Sequence, residues 1–479
     1  MTAWILGLGV PLLYLLGAAS ALDAVVKART AQGAVAWAVS HLTVPFLSLP
    51  LYWVFGRSTF DDYVRELQAF DATLEHRLEE AKAGPLREWL VPSDDQGDPR
   101  RTAELQGFAR LSTVFFTRGN GARLLVSGRE AFDAMFACID TAREYVLAQF
   151  YIVRDDTLGR EFQERLIAAA LRGVRVHLLF DEIGSHALPR RYLDELRSAG
   201  VHVRGASGGR RWLGRFRLNF RNHRKIVVVD GRRGFLGGLN VGDEYVGGHP
   251  RLTPWRDTQL QVDGPVVLGL QLSFIRDWYY VSHHVPELSW DVHPSAEDRH
   301  ALVLASGPAD RLETCGLLFA HAIDSAERRV WIASPYFVPD GRVLGALQLA
   351  ALRGVDVRIL IPRIADHWMF RYVHDAFLGE VDQVGVKVFR YDEGFMHQKV
   401  ILVDDDYAGV GTANLDNRSF RLNFELTCLV EDGPFCAEVE AMLEEDFRRS
   451  TRAEAPDVAS LPRSARLATE ITRLLAPAL

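Results

Sequence analysis

The most constraining feature of this sequence is a short motif that occurs twice, at matching places in two related segments. The first copy runs from His223 through Lys225 to Asp230, and a Gly-Gly-Leu-Asn turn that ends at Asn240 follows it. The second copy carries the same chemistry, in His397, Lys399, Asp404 and Asn414. Side chains on a strand alternate between its two faces, so the histidine and lysine of each copy point the same way. We therefore expect an imidazole and an ammonium to approach one ligand together.

The sequence around the motifs is duplicated as well, and this duplication predicts the fold. Ala-Leu-Arg-Gly-Val at residues 170–174 returns at 351–355, and each copy marks a helix that ends at glycine and passes into an apolar strand. Repeated strand–helix units with wholly apolar strands are typical of an α/β sheet buried on both faces. We predict an α/β protein with two domains related by a pseudo-two-fold axis, at residues 119–296 and 297–479.

Two uncharged stretches precede the duplicated part, at residues 3–22 and 30–56. About 20 apolar residues cross a bilayer as a helix, so both stretches are long enough to span it. We predict that residues 1–57 form a transmembrane helical hairpin. A cleaved signal peptide is the alternative for the first stretch, but that stretch lacks a basic start and a second apolar stretch follows directly. Residues 58–118 are predicted to form an amphipathic helix, at 58–83, and an exposed linker, at 92–99.

Composition limits which ligands the protein can take. The net charge of −7 gives no global positive field for bulk nucleic-acid binding, so an anionic ligand has to be met by a local basic site. The chain has only five lysines, and two of them stand in the duplicated motif. Its four cysteines show no C-x-x-C spacing, which argues against a disulfide scaffold or a thiolate zinc site. We expect no metal and no cofactor.

If the two repeats pack face to face, their motifs together offer two imidazoles, two ammoniums and two amides. Such a set suits a phosphodiester, because cations and amide donors bind its oxygens and stabilise charge in the transition state. One neutral imidazole can attack phosphorus while the other, protonated, donates to the leaving alkoxide. Asp257 and Glu425 occupy equivalent strand positions downstream of the histidines, and a carboxylate there could orient an imidazole through Nδ1. An ordinary salt-bridging role is the alternative for these two acids.

The paired motifs resemble the phospholipase D superfamily, and longer segments at 237–245, 334–339 and 415–420 resemble bacterial cardiolipin synthases in particular. The resemblance implies two phospholipase D-like α/β sandwich domains behind the N-terminal hairpin. It implies a multi-pass enzyme of the bacterial inner membrane that transfers a phosphatidyl group between two phosphatidylglycerol molecules and releases glycerol. One departure from the superfamily pattern is Gly238, which replaces a common serine and removes a hydroxyl donor, whereas Thr412 retains one.

The resemblance also implies roles for the motif residues. His223 is expected to be the nucleophile, and His397 the acid that protonates departing glycerol and then the base for the incoming hydroxyl. Phosphate oxygens are expected to be bound by Lys225, Lys399, Asn240 and Asn414. Asp230 and Asp404 belong to the catalytic motif, and they are expected to position it rather than to touch substrate. The pseudo-symmetry lets the two histidines exchange roles.

Three other functions remain open at this point. A phosphodiesterase acting on nucleic acid is the first, and the acidic net charge and the membrane hairpin argue against it. A membrane lipid hydrolase is the second, since water could open the same intermediate and give phosphatidic acid. The third is a membrane-anchored scaffold with an inactive site, which the intact motif residues in both copies oppose. The expected partners are membrane phospholipids and the bilayer itself, and the sequence specifies no oligomeric state.

Overall fold

The computed structural model describes the duplicated part of the chain almost completely. The described residues are 2–28, 30–56, 63–64, 66–67, 70, 79–80, 84, 86–91, 99–112, 114–206, 220–365, 368–455 and 463–475. Most of the predicted amphipathic helix at 58–83 and of the predicted linker at 92–99 lies outside the described residues.

The N-terminal region is helical, but its second apolar stretch is not one continuous helix. α1 (Thr2–Lys27) packs against α2 (Ala31–Thr43) and α3 (Pro45–Leu51), and a short π-helical turn (Tyr52–Gly56) follows. Proline has no amide hydrogen and favours a helix start, so Pro45 ends one helix and begins the next. Among the described residues, one helix is long and apolar enough to cross a membrane, over Gly9–Lys27. The second predicted span is thus divided into two helices, and its passage through the membrane stays a prediction.

The two halves repeat one order of elements after α4 (Pro99–Leu111). In chain order the first half contains β1 (Thr117–Leu125), α5 (Gly128–Thr141), β2 (Tyr145–Phe150), α6 (Thr157–Leu171), β3 (Arg175–Phe180), α7 (Arg190–Ser198), β4 (His202–Gly205), β5 (Arg221–Asn222), β6 (Ile226–Val229), β7 (Arg233–Gly237), β8 (Trp255–Arg256), β9 (Gln259–Asp263) and α8 (Val267–Ser282).

The second half contains β10 (Arg299–Ser306), α9 (Thr314–Ser325), β11 (Arg329–Ala333), β12 (Phe337–Val338), α10 (Gly341–Leu352), β13 (Asp356–Pro362), α11 (Trp368–Asp382), β14 (Lys387–Tyr391), β15 (Phe395–Met396), β16 (Val400–Val403), β17 (Tyr407–Gly411), β18 (Leu415–Asp416), α12 (Asn417–Arg421), β19 (Asn423–Glu431), α13 (Gly433–Arg448), β20 (Ser450–Arg452) and α14 (Arg463–Leu475).

In the described part of the chain, sixteen strands form one continuous sheet whose two ends repeat the same order, and β12 with β18 and β8 with β15 form two small separate sheets. One half runs β9-β7-β6-β2-β3-β4 and the other β19-β17-β16-β11-β13-β14. The halves join where β1 and β10, the first strand of each, pair antiparallel, with Thr117 opposite Ala301. An antiparallel junction between equivalent strands is what a two-fold relation requires. The predicted duplicated α/β architecture is confirmed.

The apolar strands are buried on both faces because their side chains alternate between two cores. In β6, Ile226 and Val228 enter a core shared by both halves, whereas Val227 and Val229 enter the outer core of the first half. β16 alternates in the same way between the shared core and the outer core of the second half. Each large side chain buried in this way contributes about 1.5–3 kcal/mol. The shared core therefore fixes one half against the other beneath the motifs.

Candidate active site

Each motif histidine follows a short strand that adds to the other half of the molecule. β5 pairs with the start of β19, and the backbone N–H of His223 donates to the carbonyl of Phe424 at 3.0 Å. In the same way β15 pairs with β8, and the backbone N–H of His397 donates to the carbonyl of Arg256 at 2.8 Å. Each histidine is thereby held beside the residue that follows its backbone partner, which is Glu425 in one case and Asp257 in the other.

The carboxylates that contact the imidazoles come from the opposite halves. Nδ1 of His223 lies 3.0 Å from Oε2 of Glu425, and Nδ1 of His397 lies 2.8 Å from Oδ2 of Asp257. Along the chain, by contrast, Asp257 follows His223 and Glu425 follows His397. We call these two contacts the crossed pairs. Because each pair takes one residue from each half, neither half holds an oriented imidazole by itself.

Both motif lysines are buried beside their histidines. Nζ of Lys225 donates to the carbonyl of His223 at 2.6 Å and stands 5.6 Å from the ring centroid of Tyr151. Nζ of Lys399 donates to the carbonyl of His397 at 2.5 Å and lies 2.9 Å from its Nδ1. Burial, together with the charge of Lys399, lowers the pKa of Lys225 to about 7 against the raising effect of Glu425. The ammoniums of the two halves thus act on each other.

The imidazoles are neutral at neutral pH. Burial, with the charges of Lys399 and Lys225, lowers the pKa of His397 to about 3 even though Asp257 opposes the shift. Burial and the same two lysines also lower the pKa of His223, against the opposing effect of Glu425. Because the lysine of each half influences the imidazole of the other, the two motifs share one electrostatic site.

The carboxylates of the crossed pairs are ionised although they are fully buried. Burial alone would raise the pKa of Glu425, but His223, Lys225 and the hydroxyl of Thr412 outweigh it and the pKa is lowered. The pKa of Asp257 is also lowered, because His397 and Lys399 outweigh burial. An ionised partner on Nδ1 fixes the tautomer of each ring and leaves Nε2 for attack or proton transfer.

The two asparagines of the motif are used differently. Oδ1 of Asn240 accepts from the backbone N–H of Ile152 at 3.0 Å, and its Nδ2 donates to the hydroxyl of Tyr245 at 3.0 Å. Oδ1 of Asn414 is buried and has no hydrogen-bond partner within the described part of the chain. Asn240 therefore joins β2 to the turn after its own motif, whereas the Asn414 side chain retains an open acceptor.

The motif aspartates lie at the far ends of β6 and β16 from the histidines. The Asp230 carboxylate accepts the backbone N–H groups of three consecutive residues, 143–145, at 2.8–2.9 Å. The Asp404 carboxylate accepts those of residues 327–329, each at 2.8 Å. Both clamp the loop that leads into the neighbouring strand, β2 or β11. These contacts give both aspartates a positioning role, away from the histidines and their reacting atoms.

Sequence reasoning missed two buried aspartates beneath the motifs. Asp277 on α8 accepts from Nη1 of Arg224 at 2.9 Å and also from Tyr63, Gln149 and Asn222. Asp446 on α13 accepts from Nε2 of Gln398 at 2.7 Å and from the guanidinium of Arg256. Arg224 and Gln398, which stand between the histidine and the lysine of their motifs, point away from the lysine. Each is held by its hydrogen bond to the buried aspartate. Alignment of the last long helix of each repeat would have shown the matching aspartates.

No group of three histidine, cysteine, aspartate or glutamate side chains in the described ranges is arranged to hold a metal ion. The site instead combines two carboxylate-oriented imidazoles with two buried ammoniums. Such a set can stabilise a phosphate diester anion, provide a nitrogen nucleophile and move one proton.

Comparisons with known proteins bear on the same residues. The family model described as "Cardiolipin synthase, PLD-like domain" matches residues 135–249 and 319–447, which contain the two motifs. Cardiolipin synthase A of Pseudomonas putida (strain GB-1) is 47% identical over 472 residues, which covers 98% of this chain and 97% of that protein. Cardiolipin synthase A of Pseudomonas aeruginosa (strain LESB58) is 48% identical over 474 residues, covering 99% and 96%.

Among solved structures, the chain is similar to phosphatidylserine synthase of Haemophilus influenzae Rd KW20. The TM-score is 0.59 at 13% sequence identity, over 75% of this chain and 95% of that chain. At this identity the likeness concerns the fold alone.

Proposed function

Because the chain belongs to the cardiolipin synthase family of phospholipase D-like proteins, we propose that it joins two phosphatidylglycerol molecules into cardiolipin and glycerol. The observation that carries this proposal is the crossed pairs. Two oriented imidazoles beside two buried ammoniums are what a two-step transfer at phosphorus needs, with no water required as a reactant.

In the first step, Nε2 of His223 attacks the phosphorus of one phosphatidylglycerol. The bond from phosphorus to the headgroup glycerol oxygen breaks, and His397 gives its proton to that oxygen, so glycerol leaves. In the second step, His397 takes the proton from a headgroup hydroxyl of the second lipid. The resulting oxygen attacks phosphorus, the phosphorus–nitrogen bond breaks, and His223 is restored with cardiolipin formed.

The lipid itself supplies the charge that lets His397 act as an acid. The pKa of His397 is lowered to about 3 by burial and by the lysines. A bound phosphate diester adds a negative charge beside Lys225 and Lys399, which offsets their effect and raises the proton affinity of the ring. We expect Lys225 and Lys399 to face the phosphate group, and the open acceptor Oδ1 of Asn414 to face a headgroup hydroxyl. We expect Asn240 to contribute through its remaining amide hydrogen.

We further propose that the enzyme sits in the bacterial inner membrane as a multi-pass protein. The support is the apolar α1 and the exposed aliphatic side chains on both α1 and the α2–α3 segment, such as Leu15, Val26, Val39 and Phe46. Here α2 and α3 would form a second, kinked segment in the bilayer. Single-cysteine variants at these positions, tested for access to a membrane-impermeant thiol reagent, would check the assignment.

The decisive experiment uses the full-length protein in membranes with isotopically labelled phosphatidylglycerol, and the products are identified by mass. Labelled cardiolipin and glycerol in equal amounts support the proposal. Phosphatidic acid without cardiolipin would instead identify a lipid hydrolase. Cleavage of DNA or RNA with no lipid product would identify a nuclease. The H223A/H397A double variant is the control, because it removes both imidazoles and leaves α1 unchanged.

A further inference from the structure

The C-terminal helix α14 turns its apolar side chains away from the protein. Leu467, Ile471 and Leu474 are 62%, 48% and 80% exposed, whereas Thr469 and Thr472 are only 5% and 3% exposed. The spacing of the three aliphatic residues puts them on one stripe of the helix. A surface helix of a globular protein normally directs such a stripe toward the core. In α14 this orientation is inverted.

Polar contacts hold α14 in this orientation. The helix packs against α11, and Arg473 forms an ion pair with Glu380 of that helix. The inward-facing hydroxyl of Thr472 donates to the carbonyl of Thr469 at 2.9 Å, so it is satisfied within α14 itself. The threonines can therefore face the protein while the aliphatic stripe stays outside.

We propose that α14 lies in the membrane interface and is a second contact of the catalytic body with the bilayer, remote in sequence from α1. Strongly amphipathic helices with basic residues lie in this plane, with their apolar face about 5–10 Å into the boundary between headgroups and acyl chains. The helix carries Arg463, Arg466 and Arg473 against Glu470, and with the Glu380 that pairs with Arg473 the local net charge is +1, in a chain whose total is −7. That local positive charge is complementary to an anionic lipid surface.

A contact at α14 would set the orientation of the active site toward its lipids. α11, on which α14 packs, contacts β12 through His374, whose Nε2 accepts from the N–H of Phe337 at 3.2 Å. β12 pairs in turn with β18, which directly follows Asn414. The inference rests on the proposed function only in that both place the protein at a bilayer containing anionic phospholipid.

The test is a site-specific fluorescent label on the full-length protein. All four native cysteines are buried, so L474C offers an exposed thiol for an environment-sensitive dye. L171C is the matched control, because Leu171 on α6 is 75% exposed. In vesicles of phosphatidylglycerol and phosphatidylethanolamine, we expect the L474C label to emit at shorter wavelength and to be quenched by brominated lipid. The L171C label should emit as it does in water.

Two results would overturn the inference. One is a water-like emission from the L474C label in vesicles. The other is a shift that persists in detergent and grows with protein concentration, which would identify a second copy of the chain as the partner of the stripe. Because the readout needs no turnover, an inserted label in a protein that makes no cardiolipin would refute the proposed function and leave this inference standing.

Discussion

The two imidazoles of the site are supported differently, although the halves of the molecule follow the same strand order. Glu425, the partner of His223, accepts hydrogen bonds from three side chains, those of Thr412, Ser419 and Asn423. Asp257, the partner of His397, accepts from the backbone N–H of Thr258 at 2.8 Å and from the indole of Trp255 at 3.4 Å. The carboxylate that orients His223 is thus held by a network of side chains. The carboxylate that orients His397 is held, apart from the histidine itself, by these two groups of its own short segment.

The size of the carboxylate explains this difference. A Cβ atom on Gly238 would lie 2.0 Å from Oδ1 of Asp257, so the short aspartate occupies the space that a side chain at 238 would need. At the equivalent place in the second half, the hydroxyl of Thr412 donates to Oε2 of Glu425 at 2.6 Å. Gly238 has no hydroxyl, and the carboxylate of Asp257 occupies the space that a hydroxyl-bearing side chain would need.

The residue that supplies the buried cation beneath each motif also differs between the halves. In the first half Arg224, inside the motif, forms the ion pair with Asp277. In the second half the motif has Gln398 there, and Arg256 from β8 pairs with Asp446 instead. One buried arginine–aspartate pair lies under each histidine, and both arginines come from the first half. Equivalence of the halves thus lies in charge and geometry rather than in residue identity.

Removing each imidazole should have the largest effect and should show whether His223 and His397 have different roles. We expect H223A and H397A each to lower cardiolipin formation by more than about 10³-fold, because one loses the nucleophile and the other the acid. They should differ with a phosphatidyl donor that has a nitrophenol leaving group, since such a group departs without a proton. H397A should then form the covalent phosphatidyl–enzyme adduct, detectable as a mass increase, and H223A should not. The opposite result would reverse the two roles.

The crossed pairs predict which carboxylate supports which step. We expect D257N to lower the rate by about 10²–10⁴-fold and to behave like H397A, so that it still forms the adduct with the activated donor. E425Q should behave like H223A and form little adduct. If D257N lost the adduct and E425Q retained it, each carboxylate would serve the histidine of its own half. D263N is the control, because Asp263 forms a surface ion pair with Arg233 and does not contact either motif histidine.

The space at Gly238 gives a smaller effect that concerns one half only. We expect G238A to push Asp257 away from His397 and to lower kcat by about 10²-fold, since displacements near 1 Å can cost that much. T412S, at the equivalent position, keeps the hydroxyl that Glu425 needs and should retain near-normal activity. Equal losses in both variants would show that the two supports do not differ as described. Steady-state assays on the same vesicles would measure both.

Local patterns in the sequence were sufficient to predict the duplicated fold and the histidine–lysine pairs that the structure brings together. Burial on both faces makes β6 and β16 wholly apolar, and a spacing of two residues keeps His223 beside Lys225, so both features are visible over a few residues. The crossed pairs were not predictable in the same way. Which half supplies Glu425 or Asp257 to a given histidine depends on how the two half-sheets meet, and no short segment encodes that register.

Other misses had signals that the sequence does contain. Pro45 stands in the middle of the second apolar stretch, and a proline there ends a helix. Asp230 and Asp404 belong to the motif, but a four-residue strand separates each from its lysine, which directs it to the far end of the sheet. Asp277 lies on an apolar helix, where a buried carboxylate requires a cation such as Arg224. The catalytic roles themselves stay predictions that the variants above test.

The mildest test concerns pH and separates the two lysines. Because the pKa of Lys225 is lowered to about 7 by burial, its ammonium loses its charge as the pH rises above 7. The charged form binds the phosphate anion, so we expect kcat/KM for phosphatidylglycerol to fall by up to about tenfold per pH unit above that value. K225R should be less active at every pH, because a planar guanidinium fits the ammonium site poorly, but its kcat/KM should not show this decline. K399R keeps Lys225 and should keep the decline. A decline that persists in K225R would assign the titration to another group.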